Sequence, residues 1–254
     1  ELRTGVSLTA GYYRNWSGNF RATDNLAVTP ADYSPYCITA PVDPRLPGGG
    51  GYEVCGLYDI NPNKFGQVTN LVTQASNYFG KGDHVTCSDQ GTEASYVSAG
   101  RAGGANCSTS DFFGVSVNTR FGQGITLSGG VDTGRTVIDN CFVVDSPQQR
   151  LNCHGLVPFK AQTQIKVFGS YPLPAGFVVS GTMQNVSGKP VEANYQVSNA
   201  AIAPSLGRNL AACGARVVCT AAVSVPLVAP QTLFLDRRTQ LDLRLTKALK
   251  FGSK

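Results

Sequence analysis

Hydrophobic and polar residues alternate with a period of two along several stretches of the chain. The clearest stretch runs from Gly114 to Phe121, where two valines, a threonine and a phenylalanine alternate with serine, asparagine and arginine. Successive side chains of a β-strand point to opposite faces of a sheet, so this stretch predicts a strand with one apolar and one polar face. After the Gly122–Gly124 turn the alternation resumes from Ile125 to Asp132. The two stretches together predict a β-hairpin.

A second hairpin and two single strands show the same alternation. The stretches Thr163–Tyr171 and Phe177–Gln184 flank the segment Pro172–Gly176, which predicts a turn because proline has no N–H group for a strand ladder. Alternating stretches also occur near the start and the end of the chain. We therefore predict an all-β chain of about six strands, at about residues 3–20, 111–121, 124–137, 160–171, 177–187 and 234–250.

The connections between these strands are of two kinds. Tight turns join the strands within each hairpin, whereas long loops at residues 21–110, 138–159 and 188–233 join the rest. Structureless loops of that length are uncommon in compact soluble domains. Short turns at one end and long loops at the other are typical of transmembrane β-barrels of the bacterial outer membrane. A β-sandwich with a solvated outer face has the same strand periodicity and stays open as an alternative.

Aromatic residues are concentrated at both ends of the predicted strands. Outer-membrane barrels carry aromatic girdles where the barrel wall meets the two lipid interfaces. The core aromatics of a β-sandwich would explain the same pattern equally well. The residues beside the tight turns are Phe121, Tyr171, Phe177 and Phe251, and those at the long-loop ends are Tyr12, Tyr13, Trp16, Phe112 and Phe113.

Composition and charge narrow the range of partners. Of the 254 residues, 42% are hydrophobic and only 15% are charged, against about 25% charged in an average soluble domain. The net charge of +5 is spread along the chain without a Lys/Arg run, so we expect no nucleic-acid partner. No stretch of about 18 apolar residues predicts a transmembrane helix. A transmembrane strand needs only about 9–11 residues, and the alternating stretches are long enough for that.

Eight cysteines indicate an oxidising compartment and disulfide bonds. Eight cysteines allow 105 pairings in general, but here each sequential pair falls within one predicted loop. A metal site is the alternative, and the chain lacks its usual signs, because it contains no C-x-x-C spacing and its two histidines, His84 and His154, are far apart. We predict no metal, no cofactor and four disulfides: Cys37–Cys55, Cys87–Cys107, Cys141–Cys153 and Cys213–Cys219.

Five segments carry a resemblance to a known family. They are Asp111–Cys153 (beginning DFFGVSVNTRFGQG), Asn199–Arg208 (NAAIAPSLGR), Ala40–Pro47 (APVDPRLP), Gly56–Gly66 (GLYDINPNKFG) and Asp236–Lys247 (DRRTQLDLRLTK). These segments are similar to the barrel region of TonB-dependent receptor-like outer-membrane proteins, in particular the subgroup with a carboxypeptidase-regulatory-like domain ahead of the plug. The resemblance covers nearly the whole chain and rests on strand and loop sequences, not on catalytic signatures.

The resemblance implies an antiparallel up-and-down transmembrane β-barrel of about 22 strands closed around a plug, with long disulfide-bearing extracellular loops. No plug and no energy-coupling segment is recognisable, so we expect this chain to be a late fragment of such a barrel. The implied function is uptake: the extracellular loops bind a small nutrient or oligosaccharide, and TonB acts through the missing N-terminal part. The implied location is the bacterial outer membrane, with its lipid as a partner.

Candidate ligand contacts lie in the longest loop. Aromatic and arginine side chains dominate binding hot spots, which favours the tyrosines and one arginine of this loop. Packing of the loops against each other is the alternative role for the same residues. The candidates are Tyr33, Tyr36, Arg45, Tyr52 and Tyr58.

Motifs for catalysis are missing from the sequence. There is no G-x-S-x-G, and the Gly48–Gly51 run lacks the following Lys-Ser/Thr of a phosphate-binding loop. We therefore expect no catalytic residues and no enzymatic activity. The alternative to a receptor is a secreted or cell-surface binding or adhesion module built on a disulfide-stapled β-sandwich.

Overall fold

The computed structural model describes residues 4–17, 21–78, 108–139, 143–216, 218–249 and 252. The strands are β1 (Val6–Ser17), β2 (Arg21–Asn25), β3 (Tyr33–Thr39), β4 (Glu53–Ile60), β5 (Asn70–Gln74), β6 (Ser108–Phe121), β7 (Ile125–Asp139), β8 (His154–Val157), β9 (Gln164–Leu173), β10 (Phe177–Val186), β11 (Asn194–Ser198), β12 (Ala222–Pro226) and β13 (Arg238–Lys247). Two short helices are α1 (Phe159–Gln162) and α2 (Asn199–Leu206). No helix in these ranges is long and apolar enough to cross a membrane.

One antiparallel sheet, the main sheet, contains six long strands and one short strand. Its hydrogen-bonded order is β1-β6-β7-β9-β10-β13, and β8 pairs with the end of β7. Each of the six strands lies beside the next predicted strand in the sequence, which confirms an antiparallel up-and-down sheet. The sheet is open, because the outer edges of β1 and β13 pair with no other strand in the described part of the chain.

The fourth predicted strand is interrupted near its start. β8 and β9 lie on the same edge of β7, opposite Thr136–Asp139 and Thr126–Asp132, and α1 separates them. Pro158 precedes this helical turn and has no N–H group for the ladder, so the strand breaks there and resumes at Gln164, not at about residue 160. At its other end β9 continues through Pro172, which shortens the predicted turn.

The two longest predicted loops contain regular structure. In the first, β2 pairs with β5 and β3 pairs with β4. In the third, β11 pairs with β12, and α2 lies between them in the sequence. These two long loops are therefore not structureless. Segments that are far apart in the sequence supply each other with the apolar contacts that a single isolated loop would lack.

We call the assembly of residues 21–78, 143–153, 188–216 and 218–235 the cap, because these segments meet beyond one end of the main sheet. α2 packs on β3, and the strand pairs β3/β4 and β11/β12 contribute to one core. Among the described residues, no buried hydrophobic side chain belongs to the main sheet. The core residues of the cap are Tyr36, Ile38, Ala40, Leu57, Val197, Ile202, Leu206, Leu210, Cys213, Val225 and Leu227.

Two of the four predicted disulfides are confirmed, and both lie in the cap. Cys37–Cys55 joins β3 to β4, and Cys213–Cys219 closes a short segment after α2. Cys153 is disulfide-bonded as well. The two remaining predicted pairs stay predictions, since three cysteines lie outside the described residues: Cys87, Cys107 and Cys141.

Truncation of the cap core tests whether the cap is a cooperative unit. The side chain of Ile202 is completely buried, so we expect Ile202→Ala to lower the free energy of opening of the cap by ~2–5 kcal/mol. Hydrogen exchange of the β3, β4 and β11 amides measures this. The control is Leu26→Ala, whose side chain is 58% exposed and should cost less than ~1 kcal/mol. Equal effects of the two substitutions would contradict a shared core.

Candidate functional site

One face of the main sheet is apolar across all six long strands, and we call it the apolar face. Directly opposed residues of antiparallel strands share a face of the sheet. Because of this register, the apolar residues of each strand lie beside the apolar residues of the neighbouring strands, and they form continuous rows across the sheet. One such row crosses the whole sheet and consists of Leu8, Val117, Gly129, Val167, Met183 and Leu241.

The apolar face is uncovered in the described part of the chain. Leu127 in the middle of the sheet is 47% exposed, and Leu243 on β13 is 74% exposed. Domains normally bury the apolar face of a sheet against a second layer, and soluble monomers rarely leave apolar areas of this extent in contact with water. The face therefore fits an apolar surrounding, which is either lipid or another protein layer.

The height of the apolar face is that of a thin hydrocarbon layer. Along β6 it extends from Phe113 to Phe121, nine residues inclusive. At about 3.4 Å per residue these span about 27 Å along the strand, before any tilt. The apolar band on the outside of outer-membrane barrels is about 25 Å tall. The dimensions of the face are therefore compatible with those of a lipid-facing wall.

Aromatic side chains mark both ends of the apolar face, which we call the cap-side rim and the turn-side rim. At the cap-side rim the ring of Phe113 lies 4.9 Å from the ring of Tyr12 and 6.3 Å from that of Phe159, centroid to centroid. At the turn-side rim the Lys247 ammonium group lies 4.6 Å from the ring centroid of Phe177. Amphipathic and aromatic groups at both ends are typical of a membrane wall.

The other aromatic residues of interest are divided between the two faces. Trp16 shares the apolar face at its cap end, because it is two residues beyond Arg14 and opposite Thr109. Tyr13 and Phe112 oppose each other on the other face. The aromatics expected beside the tight turns, Phe121, Tyr171 and Phe177, are at the turn-side rim, and Phe251 lies outside the described residues.

A charged cluster lies on the apolar face at its cap-side rim. The Asp111 side chain is only 9% exposed, and its carboxylate accepts a hydrogen bond from the Tyr12 hydroxyl at 2.7 Å. Arg14 and Arg135, which lie opposite Asp111 on the two neighbouring strands, form ion pairs with it at 3.4 Å each. A carboxylate removed from water needs such partners, so the cluster holds the ends of β1, β6 and β7 together.

The opposite face of the main sheet is polar. All five charged residues that the alternation assigns to it lie there, and serine and threonine fill much of the remainder. A cavity of about 500 Å³ on this face is lined in part by Asn118, Arg120 and Ser128. This face is compatible with contact with water, either in a water-filled interior or in bulk solvent. The five charged residues are Arg120, Asp132, Lys166, Asp242 and Arg244.

Three of the candidate ligand contacts connect segments of the cap. Tyr36 is 3% exposed and belongs to the cap core, and burial raises the pKa of its phenol. The Tyr52 hydroxyl donates a hydrogen bond to the carbonyl oxygen of Leu227 at 2.7 Å. The backbone N–H of Tyr58 donates to the side chain of Gln148 at 2.9 Å. These contacts correspond to the packing role for the three tyrosines.

The other two candidates are closer to solvent. Tyr33 is half-buried, and burial, followed by the nearby Asp145 carboxylate, raises the pKa of its phenol. The Arg45 side chain is 88% exposed, and its guanidinium group forms an ion pair with Asp43 through three hydrogen bonds, the shortest at 2.6 Å. The structure does not bring the five candidates together into one pocket, and their role in binding stays a prediction.

Sequence reasoning missed the residues that join the cap segments. The guanidinium group of Arg208 forms an ion pair with the Asp59 carboxylate and donates to the carbonyl oxygen of Ile60 at 3.0 Å. The Asn199 side chain accepts a hydrogen bond from the backbone N–H of Leu210 at 2.8 Å. Asn199 and Arg208 both lie in the segment Asn199–Arg208, which is one of the five segments that carry the family resemblance. That resemblance was the signal for them in the sequence.

No cluster of three or more His, Cys, Asp or Glu side chains among the described residues could hold a metal ion. His154 is the one histidine in the described ranges, since residue 84 lies outside them. The expectation that the chain binds no metal stays a prediction for the whole chain.

Removal of the Asp111 charge tests the rim cluster. In Asp111→Asn, Arg14 and Arg135 lose their shared carboxylate, so we expect the free energy of unfolding to fall by ~2–4 kcal/mol, less than for a deeply buried pair because Arg135 is 40% exposed. Denaturant unfolding in detergent micelles measures it. Asp132→Asn on the polar face is the matched control. If Asp132→Asn lowers the free energy of unfolding as much as Asp111→Asn does, the rim cluster has no special role in stability.

The Arg45–Asp43 pair leads to a prediction about how its contribution to stability depends on pH. Hydrogen bonds from Arg45 lower the pKa of Asp43 to about 2. Because the folded-state pKa is lowered, the contribution of the pair to stability is present above the unfolded pKa of about 3.9 and disappears as the pH falls towards 2. Carboxyl NMR titration should show this pKa rising in Arg45→Ala. An unchanged pKa of Asp43 in this variant would show that Arg45 does not lower it. Lys64→Ala is the control.

No family model, no curated protein and no solved structure matches the chain.

Proposed function

We propose that this chain forms part of the wall and the extracellular cap of a bacterial outer-membrane β-barrel of the TonB-dependent receptor type. In this role the apolar face contacts outer-membrane lipid, and the polar face lines the interior of a barrel that further strands complete at the open edges of β1 and β13. The cap takes part in the capture of a small nutrient or oligosaccharide. TonB acts through the plug of the receptor.

The observation that carries the proposal is the uncovered apolar face. It continues through all six long strands, has about the height of a membrane band, and ends in aromatic and charged residues at both rims. A face of this kind is stable in lipid and costly in water. The position of all long connections at one end of the sheet, with tight turns at the other, supports the same orientation.

The resemblance of the five sequence segments to TonB-dependent receptors supports the receptor type. The cap supports a binding role, because its own core and disulfides hold a folded surface at the end of the sheet where an extracellular ligand would arrive. The motifs of an enzyme are missing from the sequence, so we assign the chain no catalytic step.

A tryptophan scan in lipid vesicles tests the proposed lipid contact. The native tryptophan is first removed by Trp16→Phe, and Leu127→Trp or Ser128→Trp is then added. These neighbours in β7 lie on opposite faces of the sheet. In vesicles whose acyl chains carry bromine, which quenches tryptophan on contact, we expect the emission of the Leu127→Trp variant to fall by more than half. The emission of the Ser128→Trp variant should change little.

Two outcomes would contradict the proposal in different ways. A blue-shifted but unquenched emission from the Leu127→Trp variant would mean that protein covers the apolar face, as in the β-sandwich adhesion module. Equal quenching of both variants would mean that lipid reaches both faces, which is incompatible with a barrel wall. Circular dichroism of each variant verifies that the strands have formed.

A further inference from the structure

A cavity of about 450 Å³ opens at the cap-side rim, between the main sheet and the cap. Three segments line it: the region from Leu156 to Ala161 around α1, Ser187 and Gly188 after β10, and residues 231–237 before β13. The walls approach each other closely, since a Cβ atom at Gly188 would overlap the carbonyl oxygen of Leu235. The cavity is separate from the loop tyrosines and from the Asp111 cluster.

The cavity lies on the apolar side of the sheet. Leu156 is paired with Val137, which is two residues beyond Arg135 on β7 and therefore points to the apolar face. Arg237 donates a hydrogen bond from Nε to the Asn185 side chain at 2.8 Å, and Asn185 is two residues beyond Met183 in the apolar row. The contents of the cavity would therefore adjoin the surface that we assign to lipid.

The lining of the cavity combines apolar and cationic side chains. Leu156 is 47% exposed and Leu235 is 61% exposed, so both present carbon surface. Lys160 and Arg237 contribute positive charge, and Asp236 contributes the one carboxylate of the lining. One further cation, Lys189, follows Gly188 in the chain, and its backbone carbonyl oxygen accepts a hydrogen bond from the N–H of Leu235 at 2.9 Å. Arg238 is opposite Val186 and shares the polar face with Asp242 and Arg244.

The two lining cations are held differently. The Arg237 guanidinium group is fixed, since it donates to the carbonyl oxygens of Lys160 at 3.2 Å and Thr163 at 2.8 Å in addition to Asn185. Within the described ranges, the Lys160 ammonium group makes no hydrogen bond or ion pair and is exposed. One cation thus has a fixed position, and the other is available to close on an anion.

We propose that this cavity binds the phosphate headgroup of an anionic lipid in the outer leaflet, with the acyl chains of that lipid along the apolar face. The proposal rests on the membrane location proposed above. Charge complementarity favours this occupant, because two cations and one carboxylate line the cavity and a third cation, Lys189, adjoins the lining, at the level where headgroups would lie. A Lys or Arg near a membrane surface strengthens the binding of an anionic lipid by roughly five-fold.

Tryptophan quenching by defined lipids measures this preference. Phe234→Trp in the Trp16→Phe background places the reporter in the cavity lining with a small change of shape. Phosphatidylcholine vesicles receive equal fractions of brominated phosphatidylglycerol or brominated phosphatidylcholine. We expect the anionic lipid to bind near this reporter about five-fold or more tightly than the zwitterionic lipid. Lys160→Gln should lower this ratio several-fold, whereas Lys160→Arg should preserve it. The Leu127→Trp variant, far from the cavity, should give a ratio near one.

The outcomes separate this proposal from the membrane proposal. Quenching of both reporters with a ratio near one at the Phe234→Trp position overturns the headgroup site and leaves the lipid-facing wall intact. No quenching at either position overturns both. If inorganic phosphate shifts the Phe234→Trp emission of the protein in neutral detergent as strongly as phosphatidylglycerol does, the cavity is a site for a soluble phosphate compound, and the lipid assignment is wrong.

Discussion

The register of a single-layer sheet is the constraint on which the rest of this structure depends. Each long strand has an apolar and a polar side, and the hydrogen-bonded register places all the apolar sides together, as in the row from Leu8 to Leu241. A slip of one residue in any strand would turn its whole apolar set to the polar face. The resulting surface has no protein partner in the described ranges, so the molecule needs two different surroundings, one for each face of the sheet.

The sheet and the cap are stabilised by different means. The cap has a buried core, two local disulfides and ion pairs such as Arg208–Asp59. The sheet has continuous backbone pairing and no buried hydrophobic side chain among its described residues, so its stability depends on what surrounds it. The Asp111 cluster and α1 lie where the two parts meet. They combine charge with aromatic rings at the transition from the apolar face to the cap.

Local sequence patterns were sufficient for the sheet and insufficient for the cap. The period of two identified all six long strands, and two of their starts moved by four residues. The missing N–H of Pro158 splits one strand into β8 and β9, and β13 begins at Arg238 and not at about residue 234. The cap strands are short, and their partners are remote in sequence. Ile202 belongs to one buried cluster with residues of β3 and β4, more than a hundred residues earlier, and no periodicity within one loop predicts such a cluster. Tyr36 and Tyr52 were candidates for ligand contacts for the same reason. The sequence alone does not distinguish a loop tyrosine that contacts a ligand from one that packs loop segments together, because the difference lies in its spatial neighbours.

The construction of the cap core from remote segments fixes an order of folding. The bonds Cys37–Cys55 and Cys213–Cys219 each close a short segment of chain and can form before any long-range contact exists. Leu57 and Ile202 can meet only after the intervening strands have brought the two loops to the same end of the sheet. Oxidation would thus come first, strand assembly second and closure of the cap last. The surface of the cap then takes its final shape only on a chain whose main sheet is already assembled, so the cap depends on the sheet while the sheet does not depend on the cap.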